Sequence, residues 1–361
     1  MRRASIRWVG RGAALVCLMM VTATALALIE TDVWWIRVLD FPRLQIAVVL
    51  AVALVAFWWA GTRDAFAGVI AIASLAALGW QVLMIAPYTA VWPRQMLAAT
   101  ACPEGARVRF LMANVLQDNR GSQAVLQLVR DTDPDVVLLT EIDQWWADEM
   151  AGLTASYPQT ILEPRSNTYG MGLYSRLPLQ DGAVRYLLED DIPSIRTRVA
   201  LPDGTIFTVW GVHPAPPRPG DDTDERDAEL LIVAKEAAEA SGPAVVAGDL
   251  NDVAWSSTTT LFQKISGLID PRIGRGLYAT FNANWPLMKW PLDHLFASTE
   301  WTLGEFRRLP DIGSDHFPML VELCHQPQAA AVQEPVEPEP GDAEEAQEHI
   351  GEGREAATED P

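Results

Sequence analysis

Three long apolar runs without a charged residue lie in the first quarter of the chain, at positions 12–29, 44–60 and 65–88. Each run approaches or reaches the ~20 residues that an α-helix needs to cross the hydrocarbon core of a bilayer. The runs therefore predict about three transmembrane helices, and burial of these helices in a soluble bundle is the less favoured alternative. The first run could instead be a signal peptide, because arginines precede it and small residues end it.

The arginines around these runs predict their orientation. Four arginines precede residue 12, whereas two lie between residues 30 and 43. Basic residues near membrane spans favour the cytoplasmic side. The N-terminus is therefore predicted to be cytoplasmic, and three crossings would place residue 89 onward on the periplasmic side of the inner (plasma) membrane. Removal of the first run as a signal peptide would leave this arrangement unchanged.

The remaining charge is strongly acidic and unevenly distributed. Residues 325–361 hold eleven carboxylates and one arginine, and residues 94–324 hold 32 acidic and 19 basic side chains. Residues 325–361 are rich in Pro, Glu and Ala, which predicts a disordered acidic tail. The acidity of residues 94–324 argues against tight binding of duplex DNA, since such binding depends on basic residues that neutralise phosphates.

Short strand-like runs fill the middle of the chain, for example at 108–115, 205–213 and 243–250. Helical patterns occur at 121–131 and 225–241. Such a mixture predicts an α/β fold in which two packed sheets carry helices on their outer faces. The predicted organisation is an N-terminal membrane anchor at 1–92, a connector at 93–106, a folded domain at 107–324 and the acidic tail at 325–361.

Polar residues recur where the predicted strands end. They are Asn114, Glu141, His213, Asp249 with Asn251, Asp293, and Asp315 with His316. Loops at one end of a β-sandwich converge, so these side chains could form one site. Carboxylate and amide oxygens without thiolates suit Mg²⁺ or Mn²⁺ better than zinc. Asp293 could hold the His316 imidazole as a proton-transfer or charge-stabilising group.

These residues stand in seven short motifs. The motifs are FLMANV, DPDVVLLTEI, GLYSRLPL, WGVHP, GDLN, PLDHLF and GSDHFPMLVEL. Their order over residues 107–324 resembles the endonuclease/exonuclease/phosphatase superfamily of metal-dependent phosphoesterases, with Thr140 where that family usually has Gln. The arrangement looks like a bacterial branch in which a hydrophobic anchor precedes the enzyme domain. The resemblance implies a DNase-like four-layer sandwich that hydrolyses phosphodiester or phosphomonoester bonds by in-line attack of water.

The resemblance also implies a metal site and a substrate class. Glu141 would be the principal ligand of Mg²⁺ or Mn²⁺, and Asn114 and Asp315 would complete the shell around the metal and the phosphate. The substrate would be a phosphate ester on a lipid headgroup, a nucleotide or a nucleic acid. Asn114, Asn251 and His213 would contact that substrate.

Catalytic roles follow from the same resemblance. Asp249 and Asn251 would position the attacking water and the phosphate oxygens. His316, paired with Asp293, would be the catalytic imidazole. His213 would contact the scissile phosphate or protonate the leaving group.

The chain has three cysteines, Cys17, Cys102 and Cys324, which match neither a zinc-finger spacing nor a cysteine-rich scaffold. In the resembled fold the first and last strands are antiparallel neighbours. Cys102 and Cys324 would then lie at the same end of the sheet, and a periplasmic location would favour a disulfide between them.

Two alternatives concern surfaces and function. The loop 282–290 contains Trp285, Met288 and Trp290, which could face a lipid surface or a substrate ring, or could pack on the sandwich as a lid. A rival function is a catalytically silent membrane scaffold that binds a partner. The presence of Glu141 and His316 favours the enzyme over the scaffold.

Overall fold

The computed structural model describes residues 2–61, 64–216 and 218–359. Its α-helices, in chain order, are α1 (Arg2–Leu26), α2 (Trp34–Arg37), α3 (Arg43–Trp59), α4 (Ala65–Ile85), α5 (Ser122–Thr132), α6 (Gln144–Met150), α7 (Asp224–Glu239), α8 (Ser257–Ser266) and α9 (Asp342–Glu359). Its strands are β1 (Arg107–Asn114), β2 (Val136–Thr140), β3 (Gln159–Glu163), β4 (Met171–Ser175), β5 (Leu179–Tyr186), β6 (Pro193–Ala200), β7 (Ile206–Val212), β8 (Ala244–Asp249), β9 (Asp293–Ala297), β10 (Trp301–Arg308) and β11 (Met319–His325).

The three predicted membrane runs form helices of unequal length. Two helical segments, Ile6–Leu26 and Ala65–Tyr88, are long and apolar enough to cross a membrane. The middle run forms α3, whose 17 residues cover only about 26 Å at 1.5 Å per residue, and which meets the segment Trp34–Asp40 at a bend of 72°. The described residues therefore contain two candidate spans, or three if the bent pair is one span.

The domain contains two mixed sheets. The first has the strand order β10-β11-β1-β2-β4-β3, and the second has the order β5-β6-β7-β8-β9. Within them β1 runs parallel to β2 and β7 runs parallel to β8. The carboxyl ends of these four strands therefore supply the loops from which a site can be built.

Alternation of side chains along each strand divides the core into three layers. Phe110 of β1 and Val209 of β7 belong to the cluster between the sheets. Leu111, the next residue of β1, faces α5 and α6 on the outer side of the first sheet. Val246 of β8 packs with residues of α7 and α8 on the outer side of the second sheet. The result is a helix–sheet–sheet–helix sandwich, as the sequence predicts.

The predicted disulfide is present between Cys102 and Cys324. Strand β1 pairs antiparallel with β11 in a register that sets Arg107 opposite Cys324. The bond therefore connects the chain just before the first strand to the last strand. Cys17, in α1, is buried and free.

The acidic tail differs from the prediction of disorder, because residues Asp342–Glu359 form helix α9. Ala346 and Ile350 of α9 are buried against Leu231 and Leu261. The ammonium of Lys264 lies 2.7 Å from Glu339 and 3.1 Å from Asp342. Ala346 and Ile350 are spaced four residues apart and therefore share one face of the helix, and composition alone did not reveal this apolar face.

The ends of the N-terminal apolar helices pack against the folded domain. Tyr88 belongs to one apolar cluster with Val253, Trp255 and Leu292, and Phe41 packs against it. The indole nitrogen of Trp255 donates to the carbonyl oxygen of Asp40 at 2.7 Å. The loops that follow β8 and precede β9 therefore contact the N-terminal helical region directly.

Candidate active site

The polar residues predicted from the sequence all lie at one end of the sandwich. Asn114 ends β1, Glu141 follows β2, and His213 follows β7. Asp249, the last residue of β8, lies opposite Asp293, the first residue of β9, in the strand register. The remaining three, Asn251, Asp315 and His316, lie in the loops after β8 and before β11.

Two of these residues have positive φ angles, 61° at Glu141 and 50° at Asn251. Non-glycine residues adopt this conformation seldom, and they do so chiefly at functional sites and turns. Gly248 also has a positive φ, of 145°, and a Cβ at this position would lie 2.0 Å from the carbonyl oxygen of Val212. Its close approach brings the ends of β7 and β8 together, and with them His213 and Asp249.

Asn114 connects the two sheets at the centre of the site. Its amide nitrogen donates to Glu141 Oε1 at 2.8 Å and to Asp249 Oδ2 at 3.0 Å. The second oxygen of Glu141 accepts from the backbone N–H of Gln117 at 3.2 Å. One neutral side chain thus holds two carboxylates from different sheets in a fixed arrangement.

His316 lies between two aspartates. Its Nδ1 is 2.8 Å from Asp293 Oδ2, and its Nε2 is 3.4 Å from Asp249 Oδ2. Burial opposes the charged imidazole, but Asp249 and Asp293 outweigh burial and raise the pKa of His316 to about 10. The imidazole is therefore charged at neutral pH and presents an N–H to each aspartate.

The two aspartates differ in their own pKa values. Burial opposes ionisation of Asp249, but the imidazoles of His316 and His213 more than compensate and lower the pKa of Asp249. Burial and the nearby charge of Asp249 raise the pKa of Asp293. Asp249 is accordingly the carboxylate that stays ionised most firmly in this group.

His213 and Asn251 complete the edge of the site on the second sheet. His213 Nε2 lies 3.9 Å from Asp249 Oδ2, and its ring centroid is 5.8 Å from that of Tyr169. The backbone N–H of Asn251 donates to Asp249 Oδ1 at 3.0 Å. The Asn251 amide donates to the carbonyl oxygen of Pro214 at 2.9 Å, which connects the loops after β7 and β8.

The donor set fits a hard divalent cation. Asp315 Oδ1 is buried and has no hydrogen-bond partner, and burial raises the pKa of this carboxyl group. A buried oxygen without a partner is costly unless a cation or proton satisfies it. Each oxygen of Glu141 accepts one hydrogen bond, which leaves a lone pair on each for a metal.

Asp249, Asp293 and His316 form a cluster of potential metal ligands, whose ligand atoms all lie within 4.8 Å of one another. A charged imidazole has no lone pair to offer a metal. The hydrogen bond and the charges around His316 favour an ion-paired triad in this cluster. The unpartnered Oδ1 of Asp315 and the remaining lone pairs of Glu141 are further oxygens at this end of the sandwich that are available to a cation.

Three supporting residues were missed by the sequence analysis. Ser314 Oγ donates to the carbonyl oxygen of Asn114 at 2.9 Å and accepts from the His316 N–H at 3.0 Å. Thr280 Oγ1 accepts from the backbone N–H of Asp293 at 3.2 Å. Gln117 supplies the N–H described above. Only Ser314 carried a local signal, because it directly precedes the Asp-His pair.

His294, adjacent to Asp293, faces away from the site. Its Nδ1 lies 2.6 Å from Arg272 Nη2, and its Nε2 lies 2.9 Å from the carbonyl oxygen of Asp252. Burial and the Arg272 charge lower the pKa of His294. Alternation along β9 separates the two neighbours, and His294 is a structural residue.

In this structure acids, an amide and a paired imidazole lie together at one end of two packed sheets. This arrangement is that of an α/β-sandwich phosphoesterase fold. The chain belongs to the endonuclease/exonuclease/phosphatase family, whose model matches residues 111–316. Members of this family are typically phosphodiester-cleaving hydrolases and nucleases, and they generally use a divalent metal. No curated protein matches the chain.

Solved structures share the fold at low sequence identity. D. rerio TDP2 in complex with a single-strand DNA product is 15% identical with a TM-score of 0.51, over 60% of this chain and 99% of that one. The human Nocturnin catalytic domain with bound sulfate is 17% identical with a TM-score of 0.50, over 63% and 100%. A Beutenbergia cavernae member of the family is 19% identical with a TM-score of 0.50, over 61% and 72%.

Proposed function

We propose that this protein is a membrane-anchored phosphoesterase that requires a divalent cation and hydrolyses phosphodiester or phosphomonoester bonds by in-line attack of water. The observation that carries the proposal is the contact of Asn114 with both Glu141 and Asp249, beside the His316–Asp293 pair. Family membership supports the reaction class.

In this proposal Glu141, Asn114 and Asp315 hold Mg²⁺ or Mn²⁺. A bound divalent cation polarises a phosphoryl oxygen and neutralises the charge that develops on it. Ionised Asp249 positions the attacking water, and Asn251 contacts the phosphate oxygens. His213 reaches the scissile phosphate or the leaving group from the edge of the second sheet.

His316 stabilises negative charge in the transition state. Its charged ring is fixed by Asp293, so it needs no reorientation when charge appears on the phosphoryl group. Asp293 therefore acts as a positioning residue for the imidazole. Ser314 anchors the His316 backbone to the end of β1, which keeps the imidazole aligned with Asn114.

We further propose that residues 1–92 anchor the enzyme in the inner membrane and that the domain at 107–324 lies on the periplasmic side. The candidate spans and the Cys102–Cys324 disulfide support this arrangement, since disulfides persist in oxidising compartments.

The test is hydrolysis by the full chain in detergent micelles, with Mg²⁺, Mn²⁺ or chelator. The substrates are a bis-aryl phosphodiester, an aryl monophosphate, single- and double-stranded DNA, and phospholipid vesicles. We expect cation-dependent activity on at least one of them, and its loss in Glu141→Ala and His316→Ala. Folded wild type that hydrolyses none of them would support the scaffold alternative.

A further inference from the structure

Three exposed apolar side chains lie together in the loop 284–288. The exposed fractions are 63% for Trp285, 82% for Leu287 and 38% for Met288. Scattered single apolar residues are normal on a protein surface, whereas a local group of them marks a contact site. This loop is therefore a candidate docking surface.

The loop is attached to the candidate active site on one side. The backbone N–H of Ala283 donates to the carbonyl oxygen of Asp315 at 2.7 Å. The ring of Phe281 lies 4.9 Å from that of His316. Any surface that the loop contacts is thus held close to the residues proposed to bind metal and phosphate.

On its other side the loop is attached to the membrane anchor. Gln45 Nε2 donates to the carbonyl oxygen of Leu287 at 2.9 Å. The ring of Trp290 meets that of Phe41 edge-on at 5.8 Å. Because Gln45 is the third residue of α3, Leu287 lies level with the first turn of that helix.

The outer face of α3 is apolar and exposed. Leu44, Val48 and Val52 have exposed fractions of 40%, 55% and 65%, as expected of a helix that faces lipid. Through the hydrogen bond from Gln45 to Leu287 the loop adjoins the first turn of α3, where Leu44 of this face lies. That proximity points to the bilayer surface, rather than a soluble protein, as the surface the loop would contact.

We infer that the loop 284–288 inserts into the outer-leaflet interface and that the site acts on a phosphate ester carried by a membrane lipid. This inference rests on the proposed function and specifies its substrate class. Trp and Leu are side chains that favour the interface. A lipid headgroup beside the loop reaches the His316 and Asp315 region without leaving the bilayer.

The kinetic test compares two esters with the same leaving group. One is an aryl phosphodiester carried on diacylglycerol in phosphatidylcholine–phosphatidylglycerol nanodiscs that also hold the enzyme. The other has a methyl group in place of the lipid and is freely soluble. The variant is Trp285→Ser with Leu287→Ser. The control is Ile206→Ser, an equally apolar exposed site, 40% exposed, at the opposite end of β7 from the active site.

We expect the double variant to lower the ratio of lipid-ester to soluble-ester rates by about tenfold or more, since loss of apolar burial weakens interfacial binding. The control should leave that ratio unchanged. A double variant with an unchanged ratio, whether both rates are retained or both fall by the same factor, would refute docking and favour a lid. Wild type that hydrolyses neither ester with any cation would instead refute phosphodiester hydrolysis by this site.

A second measurement does not depend on activity. The native cysteines are a disulfide and one buried thiol, so a nitroxide label can be directed to Leu287→Cys or to the control Ile206→Cys. In nanodiscs the label at 287 should collide more often with O₂ than with a water-soluble nickel chelate, and the label at 206 should show the reverse. A water-exposed label at 287 would overturn the inference even if the enzyme is active.

Discussion

Arg37, in the N-terminal helical segment, is connected to the loops of the candidate site through buried charges. Its guanidinium is 6% exposed and donates to Asp227 at 3.3 Å and to Thr258 at 2.7 Å. Asp227 also accepts from Arg226 at 2.6 Å. Arg226 in turn donates to the carbonyl oxygen of Asn251 at 3.1 Å. Replacement of Arg37 by Met should therefore disturb both stability and the site.

The size of the effect follows from burial. Removal of one partner from a buried ion pair costs about 3–5 kcal/mol, because the other charge is left without compensation. Asp227, 1% exposed, keeps its pairing with Arg226 when Arg37 is lost. The expected loss in unfolding free energy is therefore near the lower limit, about 3 kcal/mol.

The assay is denaturant unfolding of the full chain in detergent micelles, followed by tryptophan fluorescence. Arg107→Met is the matched control, because Arg107 is 57% exposed and lies 3.8 Å from Glu322. An exposed pair of this kind contributes at most about 1 kcal/mol. Equal unfolding free energies for the two variants would refute the idea that the anchor stabilises the domain through this network.

Three further predictions concern the disulfide, a buried glutamate and the catalytic imidazole. The double variant Cys102→Ser with Cys324→Ser should lower the unfolding free energy by about 2–5 kcal/mol, since the bond closes a separation of 222 residues. If reductant leaves the unfolding free energy of the wild type unchanged in the same assay, this prediction is wrong. Burial and the charge of Glu189 raise the pKa of Glu229 from 4.5 to about 8. Between these two pH values folding takes up a proton, so the unfolding free energy of the wild type falls as the pH rises from 4.5 to about 8. Glu229→Gln should therefore be as stable as wild type near pH 4 and more stable by roughly 3 kcal/mol at pH 7, and a pH-independent difference between their unfolding free energies would disprove it. Asp293→Asn should lower kcat by a factor on the order of 100 or more with little change in KM, whereas a change in KM alone would contradict a positioning role for Asp293.

The fold of the domain was largely predictable from local patterns. Strand-like runs at 108–115, 205–213 and 243–250 predicted β1, β7 and β8, and the helical patterns at 121–131 and 225–241 predicted α5 and α7. Strands β3, β5 and β10 were missed because their apolar residues do not form continuous runs. Burial of β5 is only partial along its length, so its sequence resembles a surface loop.

The candidate site was predictable as a set of residues but not as a geometry. Polar side chains at strand ends identified Asn114, Glu141 and Asp249, which are in contact. The contact of His316 with Asp293 was predicted and is present, whereas the second contact, of His316 with Asp249, depends on the register of β8 with β9, which no local pattern encodes. Contributions of Ser314 and Thr280 depend on loops that fold against the strand ends. The burial of Arg37 against Asp227 of α7 and Thr258 of α8 depends on how the N-terminal helices pack.

Cation dependence of hydrolysis, measured with Glu141→Gln beside wild type, tests the central claim most directly. The enzyme is first stripped with chelator, and the rate is then followed as Mn²⁺ or Mg²⁺ is added back. We predict that wild type regains activity along a saturable curve and that Glu141→Gln needs roughly 10–100 times more cation or stays inactive, as expected on loss of a ligand or its close support. Full activity of the chelated wild type, or identical curves for the two proteins, would contradict a metal-dependent phosphoesterase centred on Glu141.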